Sequence, residues 1–146
     1  MLQIRMMKIE DATRAKSLFK EAPHFFNQMK LIVNQTFIVE DQGRIIGIAC
    51  YKRKEKDMAV IECIYISQKE RGFKIGDGLL RGLLNHMQYQ KINTVFVTST
   101  LASQGFFIAE GLEIVTSNAS HSEALTFVIH LPEFFERGCK SSRQQA

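Results

Sequence analysis

The sequence predicts an α/β (α+β) fold, a mixed and mostly antiparallel sheet with helices on both faces. Three observations carry this. Asp41-Gln42-Gly43 is a turn signal between two β-branched-rich runs, Thr36–Glu40 and Arg44–Tyr51, which reads as a hairpin. The run "MAVIECIYIS", Met58 to Ser67, follows as a third adjacent strand. Leu79, Leu80, Leu83, Leu84 and Met87 then repeat at helical spacing before another strand at Thr94–Thr98. A hairpin followed by a strand–helix–strand crossover combines antiparallel with parallel pairing.

The remaining elements are read in order. Ile4–Met7 is a short apolar edge strand. Asp11 offers an N-cap for a helix whose apolar positions are Ala12, Ala15, Leu18, Phe19 and Ala22. Pro23 ends that helix, and His24–Met29 form a second short one. Lys52–Asp57 is a charged turn. Ser103–Glu110 reads as a short helix closed by Gly111 at C′. Leu112–Val115 and Leu125–Leu131 are a final strand pair. Residues 1–131 are expected to form a single domain, and 132–146 a polar, frayed tail.

The chain of 146 residues, 45% hydrophobic and 23% charged, suits one soluble globular core. No stretch approaches the roughly 18 apolar residues of a membrane span. The start, "MLQIRMMKIED", lacks the apolar run of a signal peptide. Cys50, Cys63 and Cys139 are odd in number and unpatterned, so buried free thiols and a cytoplasmic location are expected. The net charge of +4 is scattered, without an aromatic platform, which argues against nucleic acid as a partner. His24, His86, His121 and His130 fall in separate elements, so no metal site is expected; His86 reads as a surface residue.

Gly72, Gly76 and Gly78 crowd the stretch "KERGFKIGDGLL" between a strand and a helix. The first N–H groups of a helix lack internal partners and sit at its positive end. A bare loop lets a phosphate reach them, with Arg71 and Lys74 adding charge. A plain strand-to-helix turn accounts for the same glycines, and spacing alone leaves both open.

The hexapeptide Arg71-Gly72-Phe73-Lys74-Ile75-Gly76 resembles motif A, (Q/R)-x-x-G-x-(G/A), of the GNAT superfamily of N-acetyltransferases. Arg71 fills the first position and Gly76 the last; Lys74 stands where the middle glycine belongs. The element order from Ile4 to Leu131 resembles that family too. The resemblance implies acetyl-CoA as cosubstrate, its pyrophosphate held by Arg71, Gly72, Phe73, Lys74, Ile75, Gly76 and Asp77, mostly through backbone N–H. The Asp77 side chain is expected to point away. It implies a splayed central parallel strand pair, with the pantetheine arm pairing to Ile64, Tyr65 and Ile66. The thioester would lie near Thr98-Ser99-Thr100. Ser99, Thr100 and Ser103 could donate to CoA or substrate, with helix capping as the other reading, the preferred one for Thr100; Thr100, Ser103 and Phe107 join the cofactor-binding set, although core packing also explains Phe107.

Glu62 is the candidate general base. Alternation puts it with Ile64 and Ile66, opposite Ile61, Cys63 and Tyr65. A carboxylate on a largely apolar strand is costly unless used or paired, and burial would raise its pKa. A Lys or Arg partner across the sheet is the other reading. The family's usual acid is a tyrosine at the position held here by Phe107, which has no proton to donate. The stretch "VFVTSTLASQGFF" is also similar to the acetyltransferase domain of N-acetylglutamate synthases, implying an amino-acid-like amine.

The resulting expectation is an acetyl-CoA-dependent N-acetyltransferase acting on a small-molecule primary amine by direct attack in a ternary complex. The acceptor would lie over the hairpin and the segment His24-Phe25-Phe26. Alternatives are a non-catalytic acyl-CoA-binding module on the same fold, or an acetyltransferase for protein N-termini or lysines. A homodimer is left open, and no membrane partner is expected.

Overall fold

The computed structural model describes residues 2–27, 30–72, 74–99, 103–115 and 124–136. In chain order the elements are β1 (Leu2–Met6), α1 (Ala12–Phe19), α2 (Pro23–Asn27), β2 (Thr36–Asp41), β3 (Arg44–Glu55) and β4 (Met58–Ile66). They continue with α3 (Ile75–Tyr89), β5 (Thr94–Thr98), α4 (Gln104–Ala109), β6 (Glu113–Ile114) and β7 (Thr126–His130). The strand order is β1-β2-β3-β4-β5-β7-β6. Of the strand pairs with a described register, only β4–β5 is parallel. The expected mixed, mostly antiparallel sheet is what forms. The chain makes two compact units, Met1–Lys52 with Glu62–Leu84, and Arg53–Ile61 with Asn85–Ala146.

In the first unit, β1 and β2 pair from Leu2↔Asp41 to Met6↔Phe37, and β2 pairs with β3 from Thr36↔Cys50 to Asp41↔Arg44. Gln42 and Gly43 both take positive φ, 51° and 80°, as a two-residue hairpin turn matched to strand twist requires. Seven consecutive residues of β3, Ile45 to Tyr51, are buried, because both faces of this strand are covered. On one face Ile38, Ile48, Cys50 and Cys63 pack with Ala15, Leu18 and Phe26. On the other, Ile4 meets Gly78 and Gly82 of α3, where an added Cβ would stand 3.0 and 3.2 Å from its side chain.

Two expectations for this unit change. Asp11 does not cap α1. It is 1% exposed and accepts from the Lys8 N–H at 2.7 Å and from both Arg5 Nη groups at 2.8 and 2.9 Å, and it also pairs with Arg14. Arg5 and Arg14 both reach Glu40 as well. Pro23 starts a helix instead of ending one: α1 stops at Phe19, and Pro23 takes the first position of α2, where its missing N–H costs nothing.

In the second unit, β4 pairs with β5 from Met58↔Thr94 to Ile61↔Val97, and β5 pairs antiparallel with β7. Two helices end alike. Gly111 (φ 77°) closes α4 with Leu112 N–H donating to Phe107 C=O and Gly111 N–H to Ile108 C=O. Lys91 (φ 70°) closes α3 with Ile92 N–H to Met87 C=O and Lys91 N–H to Gln88 C=O. Both are left-handed helix stops, the first with the expected glycine and the second with a lysine. Residues 131–136 are helical; residues 137–146, with Cys139, lie outside the described residues.

Candidate functional site

The candidate site begins where β4 outruns its ladder with β5. The parallel ladder with β5 stops at Ile61↔Val97, five residues before β4 itself ends. Ile64, Tyr65 and Ile66 are half-buried along that last stretch. Ser67 N–H still donates to Ile46 C=O at 2.8 Å, and a 3-10 turn, Gln68–Glu70, leads into the loop. Arg71 Nε donates to Ile66 C=O at 2.9 Å, and its guanidinium lies over the Tyr65 ring, 5.1 Å from the centroid.

The glycines of this stretch have separate reasons. Gly72 takes φ 93° with open space where a Cβ would be, so its need is conformational. Gly78 lies in α3 against Ile4, so its need is close packing. Lys74, in the place of the motif's middle glycine, takes φ 60°. The backbone therefore adopts a left-handed turn there without glycine, at the steric cost of a Cβ in that region. α3 starts at Ile75; Gly78 N–H donates back to Lys74 C=O at 3.2 Å. Ile75 and Gly76 precede the first of these helical hydrogen bonds, and N–H groups at such positions have no partner within the helix. Asp77 turns its carboxylate to Arg81 Nε at 3.0 Å, one helical turn along α3. Phe73 lies outside the described residues.

Glu62 is exposed, which overturns the expectation of burial. Its face follows from the register. Ile66 lies against Gly47, Gly47 pairs with Val39, Val39 pairs with Ile4, and Ile4 packs on α3. Alternation then puts Glu62 and Ile64 on the α3 face as well. Tyr65 is on the opposite face, its ring 5.9 Å from Phe25 and 5.3 Å from Phe26. The expected pairing of Glu62 with a site lined by His24, Phe25 and Phe26 thus divides between two faces of one sheet.

Cys63 and Cys50 are buried free thiols as expected, and hydrogen bonding between them together with burial pushes the Cys63 thiol up. Phe107 is 1% exposed, its ring 5.5 Å from Phe127, so it packs in the core. The Ser103 hydroxyl does not cap α4. Ser99 is buried and continues β5 by exchanging hydrogen bonds with Leu125. Thr100 lies outside the described residues. His86 is half-buried in α3, not a surface residue, and burial lowers its pKa. No group of three or more His, Cys, Asp or Glu forms a metal site among the described residues.

One polar residue escapes sequence reasoning. Glu21, between α1 and α2, accepts from Tyr65 OH (3.1 Å), Ser67 OH (2.7 Å) and Gln68 N–H (3.1 Å). Desolvation pushes its pKa up, but these donors outweigh it and hold the carboxyl below its usual range. Burial and the Glu21 carboxylate raise the Tyr65 phenol. Every donor comes from 44 or more residues away, so no local pattern marks Glu21.

The profile of the acetyltransferase (GNAT) family matches residues 5–110. This chain belongs to that family. Solved structures share its fold. N-acetylglutamate synthase from Neisseria gonorrhoeae, complexed with coenzyme A and N-acetyl-glutamate, is 19% identical with a TM-score of 0.72, over 90% of this chain and 35% of the synthase. Rv2747 from Mycobacterium tuberculosis, in complex with CoA, is 16% identical with a TM-score of 0.73, over 88% of this chain and 99% of that one. The ribosomal-protein alanine N-acetyltransferase from Escherichia coli is 14% identical with a TM-score of 0.70, over 90% and 94%. The chain spans about a third of the length of the synthase it resembles. No curated protein matches it in sequence.

Proposed function

We propose that this chain transfers the acetyl group of acetyl-CoA to a primary amine, small or amino-acid-like, by direct attack in a ternary complex. One observation carries the reading. The left-handed turns at Gly72 and Lys74 lead straight into the α3 N-terminus, in the order the family's phosphate loop needs. The residues fit a pyrophosphate. The N–H groups of Ile75, Gly76 and Asp77 donate, the Lys74 ammonium adds charge, and Asp77 is neutralised by Arg81. The pantetheine arm pairs with the backbone of Ile64 to Ile66, where β4 has outrun its ladder with β5.

In the transfer, the neutral amine nitrogen bonds to the thioester carbonyl carbon and the C–S bond breaks. The amine proton leaves to Glu62 through water, and the thiolate departs. Backbone N–H of Ile64 or Ile66 polarises the carbonyl. Phe107, buried in the core, donates no proton to the thiolate. The structures solved with N-acetyl-glutamate and CoA support an amino-acid-like acceptor as the first to try.

The test is calorimetry with acetyl-CoA, then CoA release across an amine panel. Saturable one-to-one binding weakened by salt supports the phosphate loop, and no binding up to millimolar refutes it. Glu62→Gln should slow transfer at least about tenfold while leaving acetyl-CoA affinity within about twofold. An unchanged rate across pH removes Glu62 as the base.

A further inference from the structure

The Glu21 junction has no part in that reaction scheme, yet it ties together the segments the scheme depends on. Its Oε1 accepts from Tyr65 OH and Gln68 N–H, each at 3.1 Å, and its Oε2 accepts from Ser67 OH at 2.7 Å. These donors run from within the pantetheine-facing stretch Ile64–Ile66 toward the loop that starts at Arg71. They are anchored in turn: Ser67 N–H to Ile46 C=O, and Arg71 both to Ile66 C=O and over the Tyr65 ring. Glu21 itself belongs to the connector that carries Phe25 and Phe26 onto that ring. A carboxylate with three donors makes charge-assisted bonds, stronger and more directional than neutral ones.

We propose that Glu21 is a positioning residue for acetyl transfer. By gripping Tyr65, Ser67 and Gln68, it sets the end of β4 so that the Ile64–Ile66 backbone meets the pantetheine arm, and it locks that strand end to the aromatic residues of α2. This rests on the acetyl-CoA reading above. Its physical consequence is a split. Glu21 and Gln68 are exposed and Tyr65 is half-buried, so their freed groups find water, and the buried Ser67 hydroxyl carries the folding cost of losing its acceptor. The strand end, losing its grip, loses its fixed orientation. The α3 N-terminus and the turns at Gly72 and Lys74 do not depend on Glu21 and keep their donors.

The experiment is titration calorimetry of the whole chain with two ligands. One is acetyl-CoA. The other is 3′-phospho-ADP, which carries the nucleotide and pyrophosphate without the pantetheine. Glu21→Ala should weaken acetyl-CoA about tenfold and 3′-phospho-ADP less than about twofold, with Glu21→Gln between wild type and Glu21→Ala. Equal weakening of both ligands, or none, overturns the positioning role while the acetyl-CoA reading stands. Wild-type protein that binds neither ligand overturns both. If Glu21→Ala does not fold, the same ratio is read from Glu21→Gln and Ser67→Ala: selective weakening of acetyl-CoA supports the role, and equal or no weakening overturns it.

Discussion

Lys74 allows the shape of the phosphate loop to be separated from its charge. It stands in the left-handed region, φ 60°, with an exposed side chain. A Cβ there costs about 1–2 kcal/mol relative to glycine, and glycine gives back about 0.5–1 kcal/mol through its freer unfolded chain. Lys74→Gly should therefore stabilise the protein by about 0.5–1 kcal/mol. Lys74→Ala keeps the Cβ and gains nothing. For a chain of 146 residues the difference between the two variants amounts to about 1.5–3 °C in Tm. Both variants lose the same ammonium. A unit charge about 6 Å from a phosphate, in water, contributes about 0.7 kcal/mol before screening, or about threefold in affinity. Both should thus weaken acetyl-CoA by about two- to threefold and flatten its salt dependence equally. Differential scanning calorimetry and ligand titration at two salt concentrations measure the pair. Equal Tm values for Lys74→Gly and Lys74→Ala would refute the strained turn. Unchanged binding in both would remove Lys74 from the phosphate site.

Two stability predictions concern the first unit. Asp11→Asn removes the charge from a buried carboxylate held by Arg5, Arg14 and the Lys8 N–H, and should cost about 2–4 kcal/mol in chemical denaturation, since Glu40 still partners both arginines. The Arg5 pair holds the Asp11 carboxyl well below its ordinary value, against the opposing effect of burial. That stability is present above the unfolded pKa of about 3.9 and is lost as pH falls below it, so Asp11→Asn should flatten the acid limb of the stability curve. An unchanged acid limb would show that Asp11 is not the titrating group. Gly82→Val should destabilise by about 1–3 kcal/mol, because the first added carbon already stands 3.2 Å from Ile4 and 3.6 Å from Phe37. An unchanged denaturation midpoint would mean that β1 yields freely, and that the glycine of α3 is not a packing requirement.

Much of the scaffold was legible because its signals are local. The hairpin turn needs positive φ at two adjacent residues, and Gln42-Gly43 supplies them within a four-residue window. The α4 stop needs one residue in the left-handed region, and Gly111 provides it. The equivalent stop at Lys91 and the loop residue Lys74 were not legible as such. Their conformation is imposed by the structure on either side, against the residue's own preference. Asp11 misled for a related reason. Its position before a helix suggests a cap, but two arginines, one from β1 and one a turn ahead in α1, compete for its oxygens and win.

The sequence by itself determined the order of elements, the strand-to-loop-to-helix passage at Arg71–Gly76 and the two faces of β4, since each depends on neighbours along the chain. Tertiary structure alone decided that β7 inserts between β5 and β6, that Glu62 stands exposed on the α3 face, and that Glu21 gathers Tyr65, Ser67 and Gln68. These depend on where distant segments return to one another. A carboxylate 44 residues from its nearest hydrogen-bond donor looks, in the sequence, like any other charge on a helix end.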